Sequence, residues 1–212
     1  MTVRIDRIVT SGVFSLDGQD FAVDNNVWLV GNDREVLVID AAHDAEAILE
    51  AVGSRTVKAI VSTHGHNDHV NAAPDVARAT GAPVLLHRDD LMLWQMTHPN
   101  RPPDEELTDG DVLSVAGSEL RVLHTPGHSP GGVCLYAADL ATVFSGDTLF
   151  KGGPGATGRS YSDLRTLLAS IRRQLLTLPR QTVVRTGHGD NTRIDAEAAD
   201  EWARRGDAEA PS

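Results

Sequence analysis

The chain carries one cysteine, Cys134, in 212 residues, which excludes an internal disulfide framework. Aromatics are scarce at 4%, so any core has to be aliphatic, built from Val, Leu, Ile and Ala. Lysine is nearly absent: Lys58 and Lys151 are the only two, and Arg supplies the other basic side chains. The formal net charge of −11 argues against nucleic acid, whose phosphates a partner must neutralise. It does not exclude a small anionic substrate, because bound metal ions can dominate a local field. No run is long and apolar enough to span a membrane. No signal peptide reads out of the first thirty residues, where Arg4, Asp6 and Arg7 interrupt every apolar stretch. These absences imply a cytoplasmic protein with a small-molecule partner and no nucleic-acid or membrane partner. No Pro/Ser linker or charge block divides the chain, so it reads as one domain over 1–205, with a disordered tail at 206–212.

Strand-like segments fall at 4–14, 26–30 and 35–39, separated by turn signals at Asp17-Gly18 and Gly31-Asn32-Asp33. Helical spacing follows at 44–52, then a strand at 57–62 and a helix at 68–80 stopped by Gly81. Next come a short strand at 83–86, a helix at 89–96 and a loop at 97–109. Segments 112–115, 119–124, 132–137 and 142–145 read as an all-β stretch. The longest helix is expected at 161–178, with Leu164, Leu167, Leu168, Ile171 and Leu175 on one face. A strand at 181–186 and a helix at 195–204 complete the pattern. Strands, helices, strands, helices, without βαβ alternation, suit an α/β architecture of two sheets packed face to face with helices outside.

The densest chemistry lies in His64-Gly65-His66-Asn67-Asp68-His69, directly after a predicted strand. His64 and His66 stand two apart, so in an extended segment their side chains point the same way. Asp68 and His69 follow where the helical pattern begins. Two ligands before the bend and two after it suit a pair of metal ions better than one. A polar loop with chance histidines is the plain alternative. Against it, three of the chain's nine His fall within six residues. Three later positions repeat the arrangement of a strand followed by a Gly-bearing turn. They are His128 in Thr125-Pro126-Gly127-His128-Ser129, Asp147 in Ser145-Gly146-Asp147-Thr148, and His188 in Thr186-Gly187-His188-Gly189. Singly each reads as a turn, cap or loop residue. Together with the first cluster they give five His and two Asp, the inventory two zinc-like ions need with one carboxylate shared. A structural zinc clip would need only four. Cys134 sits in a predicted strand and reads as core, and His43, His87, His98 and His124 match no motif and read as structural.

These motifs resemble those of the metallo-β-lactamase-fold hydrolases, and within them the glyoxalase II-like (hydroxyacylglutathione hydrolase-like) branch. The likeness rests on Thr63 to His69, Thr125-Pro126-Gly127-His128-Ser129-Pro130-Gly131, Ser145-Gly146-Asp147-Thr148-Leu149-Phe150 and Gly187-His188-Gly189, and runs over about 25–188. It implies an αββα four-layer sandwich with two divalent metal ions, zinc or else iron, at one edge of the sheets. By that likeness His64, His66 and His128 hold one ion, Asp68, His69 and His188 hold the other, and Asp147 bridges them. Asp40 matches an aspartate that orients the ligand loop. Family members usually carry Gly soon after it, where this chain has Ala41-Ala42.

Two ions roughly 3.5–4 Å apart lower the pKa of a bridging water toward 7, which makes hydroxide available at neutral pH. One of them can polarise a substrate carbonyl. Asp68, while ligating, is the candidate to orient that hydroxide or pass a proton. A thiolate leaving group, from a thiol of pKa near 8.5, needs no strong general acid. The first expectation is therefore hydrolysis of a thioester of a small thiol carrier, glutathione or mycothiol. Glyoxalase II proper adds a C-terminal helical domain, for which this chain ends too soon, and a basic residue shortly after Gly-Asp-Thr-Leu-Phe. Here Arg159 is displaced by several residues. Lys151, Arg159 and Tyr161 remain candidates for an anionic tail. Residues 94–101 are a candidate lid, with Trp94 and Met96 touching substrate; the other reading has both packing a helix onto the sheet. Two further activities share these motifs. One is a lactonase; the other is a persulfide dioxygenase with one iron on His64, His128 and Asp147.

Overall fold

The computed structural model describes residues 2–199, so the expected tail at 206–212 and the end of the helix at 195–204 lie outside the described residues. β1 (Arg4–Leu16) and β2 (Gln19–Gly31) form a long antiparallel hairpin, paired from Arg4↔Gly31 to Leu16↔Gln19. Asp17 and Gly18 close it at φ 54° and 72°, the left-handed pair that matches strand twist in a two-residue turn. β2 starts well before the expected 26–30. No side chain of its first half, from Gln19 to Asp24, is fully buried, so cross-strand pairing with β1 holds it.

β3 (Glu35–Ile39) joins antiparallel to β2, and α1 (Ala45–Val52) follows, capped by the Asp44 carboxylate accepting from Ala47 N–H. β4 (Thr56–Val61) then runs parallel to β3. The single helix expected at 68–80 is two, α2 (Asn67–Val70) and α3 (Ala73–Thr80). Pro74 sits in the first turn of α3, where a continuous helix would lose its N–H bond to residue 70 and clash there. β5 (Val84–His87), a 3₁₀ turn at Arg88–Asp90 and α4 (Leu91–Thr97) come next. β6 (Glu105–Leu107) occupies part of the expected loop at 97–109 and pairs parallel with β5.

The second half is a meander of β7 (Val112–Val115), β8 (Ser118–His124), β9 (Val133–Ala137) and β10 (Thr142–Gly146). A small ladder of β11 (Leu149–Phe150) and β12 (Gly153–Pro154) follows. α5 (Leu164–Ser170) is capped by Asp163 and continues as a wider π turn over Ile171–Leu175. The expected start at 161 fails because Tyr161 has φ 69°, outside any right-handed helix. β13 (Val183–Thr186), β14 (Thr192–Arg193) and α6 (Ile194–Ala198) complete the described chain.

The strands form two six-stranded sheets, ordered β1-β2-β3-β4-β5-β6 and β14-β13-β10-β9-β8-β7. Alternation along β2 separates the layers. Trp28 and Val30 face the other sheet, where they meet Leu120, Leu135 and Phe144. Val27 and Leu29 face the helices, packing with Ile48, Val76 and Trp94. On the far side, Val143 and Val184 pack under Leu167, Ile171 and Leu175. Three apolar layers between four layers of structure give the αββα sandwich. Cys134 is fully buried in the outer one, and burial raises its thiol pKa to about 11, which makes it inert core. Among the described residues no helix is long and apolar enough to cross a membrane.

Candidate metal centre

The parallel neighbours β3, β4 and β5, and separately β10 and β13, end at the same edge of the sandwich. In open α/β sheets such carboxyl ends are where ligands bind. β4 leads into His64, His66, Asp68 and His69; β8 into His128; β10 into Asp147; β13 into His188. All seven predicted ligand residues come together there. Donor atoms of His64, His66 and His128 lie within 4.8 Å of one another, as do those of His64, His69 and Asp147, and of Asp68, His69 and His188. His66 Nδ1 lies 3.1 Å from His128 Nε2, and His69 Nε2 lies 3.2 Å from His188 Nε2. Asp147 Oδ1 is 3.3 Å from His69 Nε2, while its Oδ2 is 3.6 Å from His128 Nε2 and 3.4 Å from His188 Nε2. Two nitrogens sharing one tetrahedral ion at ~2.0–2.1 Å stand about 3.3 Å apart, so these spacings fit.

The polar atoms left over make the same point. With His66 offering Nδ1 and Asp68 offering Oδ2 to the cluster, His64 Nε2 and Asp147 Oδ1 are buried there without any hydrogen-bond partner. Such groups are costly unless something else satisfies them, and here a cation would. The remaining nitrogens are already assigned. Thr63 Oγ1 donates its proton to Asp40 Oδ2 at 2.8 Å, so His64 Nδ1–H donates to Thr63 Oγ1 at 3.1 Å. His69 Nδ1 donates to Asp40 Oδ2, His128 Nδ1 to Ala156 O and His188 Nδ1 to Asp24 O. Each network leaves Nε2 for the centre, the arrangement that orients metal-ligating imidazoles. Asp40, at φ 57°, also accepts from Thr63 N–H and so ties the end of β3 to the start of the ligand loop. Gly187 makes room for all this: a Cβ there would stand 2.3 Å from Asp147 Oδ1 and 2.8 Å from the His69 ring.

Without ions, protons occupy the cluster. Burial opposes a charged His188, yet the Asp147 and Asp68 carboxylates outweigh it and lift its pKa to about 10. His69 is raised well above its ordinary value by Asp147, Asp68 and Asp40, again against burial. Burial and the neighbouring His128 lower His66 to about 3, and burial with His69 and His66 holds His64 well below its usual range. Burial works against the Asp147 carboxylate, but His69 and His188 hold it well below the usual carboxylate range. Two imidazoles are thus ready ligands, and two carry protons in the place of cations.

The centre opens into a cavity of about 620 Å³, with Phe14, Val23 and Phe150 on its walls and Lys151 and Arg159 among its lining residues. Arg159 stacks 4.4 Å from the Phe21 ring and 5.4 Å from Phe14, and Lys151 pairs with Asp190 at 3.0 Å. Tyr161, also expected here, is half exposed and does not line the cavity. Trp94 corrects a second expectation. It is fully buried in the helix-facing core, with its indole N–H donating to Arg101 O at 2.6 Å. The 94–101 segment is further tied by His98 Nε2 to Val70 O, so it packs rather than forming a lid.

Sequence reasoning missed Asp90, which is fully buried and accepts from Gly65 N–H, Ser129 Oγ–H and Gly131 N–H, joining the first ligand loop to the His128 loop. It also missed Asn25, whose Nδ2 donates to Asp68 Oδ2 at 3.2 Å. Neither carried a spacing signal. A separate group, His87, Asp89 and His124, brings three donor atoms together. Its two rings are stacked 4.2 Å apart at 14°, so no ion can lie in both ring planes.

A family model described as the Metallo-beta-lactamase superfamily matches residues 21–188. The chain belongs to that superfamily. It is therefore a metallo-hydrolase-type chain whose His/Asp cluster is of the metal-binding kind, and its homologues include hydroxyacylglutathione hydrolases. The hydroxyacylglutathione hydrolase GloC of Haemophilus influenzae is 31% identical over 83% of this chain and 91% of its own length. Among solved structures, BLEG-1 B3 metallo-beta-lactamase aligns with TM-score 0.78 and 31% identity over 92% of this chain and 99% of that one. TTHA1623 in a di-iron-bound form aligns with TM-score 0.73 and 35% identity, covering 84% and 93%.

Proposed function

We propose that this chain is a dinuclear metal-dependent hydrolase that cleaves a thioester of a small thiol carrier, of the glutathione or mycothiol type. The observation that carries it is the three overlapping groups of His and Asp donor atoms, each within 4.8 Å, gathered at the cavity that His66, Asp68, His128, Asp147 and His188 line. His64, His66 and His128 would hold one ion and Asp68, His69 and His188 the other, with Asp147, placed between the two sets, shared by both. When bound, the ions supply a water acidified toward neutrality and polarisation of an acyl carbonyl.

The chain's own residues do the rest. Asp40 and Thr63 keep His64 and His69 aimed through their Nδ1 atoms. Phe14, edge-on to the His66 ring at 5.2 Å, with Val23 and Phe150, gives the acyl group a dry wall. Arg159 and Lys151 offer positive charge to a carboxylate of the carrier. In the reaction a C–O bond forms, the C–S bond breaks and the thiolate leaves with the electron pair. Of the lining acids outside the ligand set, Asp190 is paired with Lys151 and Asp24 accepts from Ser11. That suits a leaving group needing no proton donor. The likeness to a hydroxyacylglutathione hydrolase supports the thioester, and the lone buried cysteine suits the cytoplasm. Zinc is the favoured metal. Iron is the alternative, since a relative has been seen with two irons.

Thiol release from acyl-glutathione and acyl-mycothiol, measured beside a lactone and a β-lactam, tests the proposal. Metal-dependent thiol release that exceeds the other two supports it. Faster lactone or β-lactam turnover contradicts the substrate class, and oxygen uptake with a persulfide, without thioester cleavage, contradicts the hydrolase.

A further inference from the structure

His43 matches no ligand motif and sits outside the metal cluster, yet it is unusually constrained. Its backbone lies at φ 58°, a conformation rare for residues other than glycine. Gly12 of β1 passes flat against its ring: a Cβ there would stand 2.1 Å from His43 Nδ1. Each polar atom of the side chain has one partner, and the partners lead to Asp68.

The direction of that chain follows from a single fixed donor. The His43 backbone N–H can only donate, and it meets Asn71 Oδ1 at 2.6 Å. Asn71 therefore turns its Nδ2 to His43 Nδ1, at 2.9 Å, and donates there. Nδ1 carries no proton in consequence, so the neutral ring carries it on Nε2, which donates to Asn25 Oδ1 at 2.9 Å. Asn25 Nδ2 is left to donate to Asp68 Oδ2 at 3.2 Å. Reversing any member would bring two donors or two acceptors together. The same Oδ2 lies 3.6 Å from His69 Nε2 and 3.4 Å from His188 Nε2, the other two ligands read for that ion.

We infer that His43 is a positioning residue: the relay Asn71–His43–Asn25 holds Asp68 Oδ2 and thereby aims that oxygen at the ion it would share with His69 and His188. The inference rests on the reading of Asp68 as a metal ligand. Partners behind a ligand typically govern metal affinity by 10–100-fold. His43 acts at one remove, through Asn25, and on one of the two ions only.

The test is zinc titration of the full chain against a competing chelator, for wild type, His43→Phe, Asn25→Ala, the double variant and His43→Gln, with a metal-free melt of each. Wild type should take up two zinc ions. Both single variants should keep one and weaken the other by roughly 10–100-fold. Because the two residues act in series, the double variant should be no weaker than the worse single. His43→Gln, whose amide can accept from Asn71 and donate to Asn25, should recover most of the loss. A purely packing role would lower the melting temperature and leave zinc affinity intact, which overturns the inference. Additive losses, or no rescue by a folded His43→Gln, overturn it too. If His43→Phe does not fold, Asn25→Ala and His43→Gln decide alone. Wild type that binds fewer than two ions overturns the site reading itself, a result separable from two ions with unaffected variants.

Discussion

Arg159 lines the metal cavity with its guanidinium stacked on Phe21 and Phe14. Arg159→Ala should raise KM for a thioester with a carboxylate-bearing carrier, by about tenfold for a contact of ~1.4 kcal/mol, and leave a neutral thioester unchanged. Parallel kinetics on the two substrates check it, and equal effects would remove its recognition role. The seven ligand-type residues were legible because imidazoles and carboxylates beside glycines at strand ends are rare by chance. Asn25, His43 and Asp90 were not. An asparagine in a strand acquires its meaning only when the fold brings it to Asp68, forty-three positions on. Trp94 stayed open between lid and core for the converse reason: an indole near a loop reads either way, and packing decides for the core.

At the scale of elements, β2 clasps the His188 loop. Asn26 Nδ2 donates to Thr186 O at 2.9 Å and Gly189 O at 3.0 Å, and Trp28 Nε1 donates to Thr186 O at 3.1 Å. Arg7 from β1 holds Asn26 Oδ1 at 2.8 Å and Gly189 O at 3.1 Å. Asn26→Ala leaves buried acceptors short of donors and should cost about 1–3 kcal/mol. The melting temperature should fall by about 2–4 °C per kcal/mol, and affinity for the ion next to His188 should drop with it. A melt alongside zinc titration reads both, and an unchanged zinc affinity would show that the clasp does not position His188. Most elements were readable from alternation and capping: β3, α1 with its Asp44 cap and Gly81 ending α3 all sit where their residues imply. Those that were not readable depend on partners. The outer half of β2 is held by β1, and β6 exists because β5 offers it an edge. The split between α2 and α3 follows from Pro74, which the regular apolar spacing of 68–80 had masked.

Across the whole molecule, the cluster couples stability to pH. With His188 lifted from 6.5 to about 10 in the metal-free fold, the stabilisation it contributes is full below about pH 6.5. It is lost as pH rises toward 10. The metal-free chain should therefore melt at progressively lower temperature across that window. Ions replace those protons, so the loaded chain should show a flatter profile, and zinc uptake near pH 7 should release protons. A metal-free melting temperature that stays constant or rises over the window would contradict the charge assignment. The most direct test of the central claim is metal identity and stoichiometry on protein purified without added metal, measured for wild type and Asp147→Ala. Two ions per chain in wild type, with one or none retained and most turnover lost in Asp147→Ala, is the predicted result. A single tightly held ion in wild type, or both ions retained in Asp147→Ala, would contradict the shared-carboxylate centre.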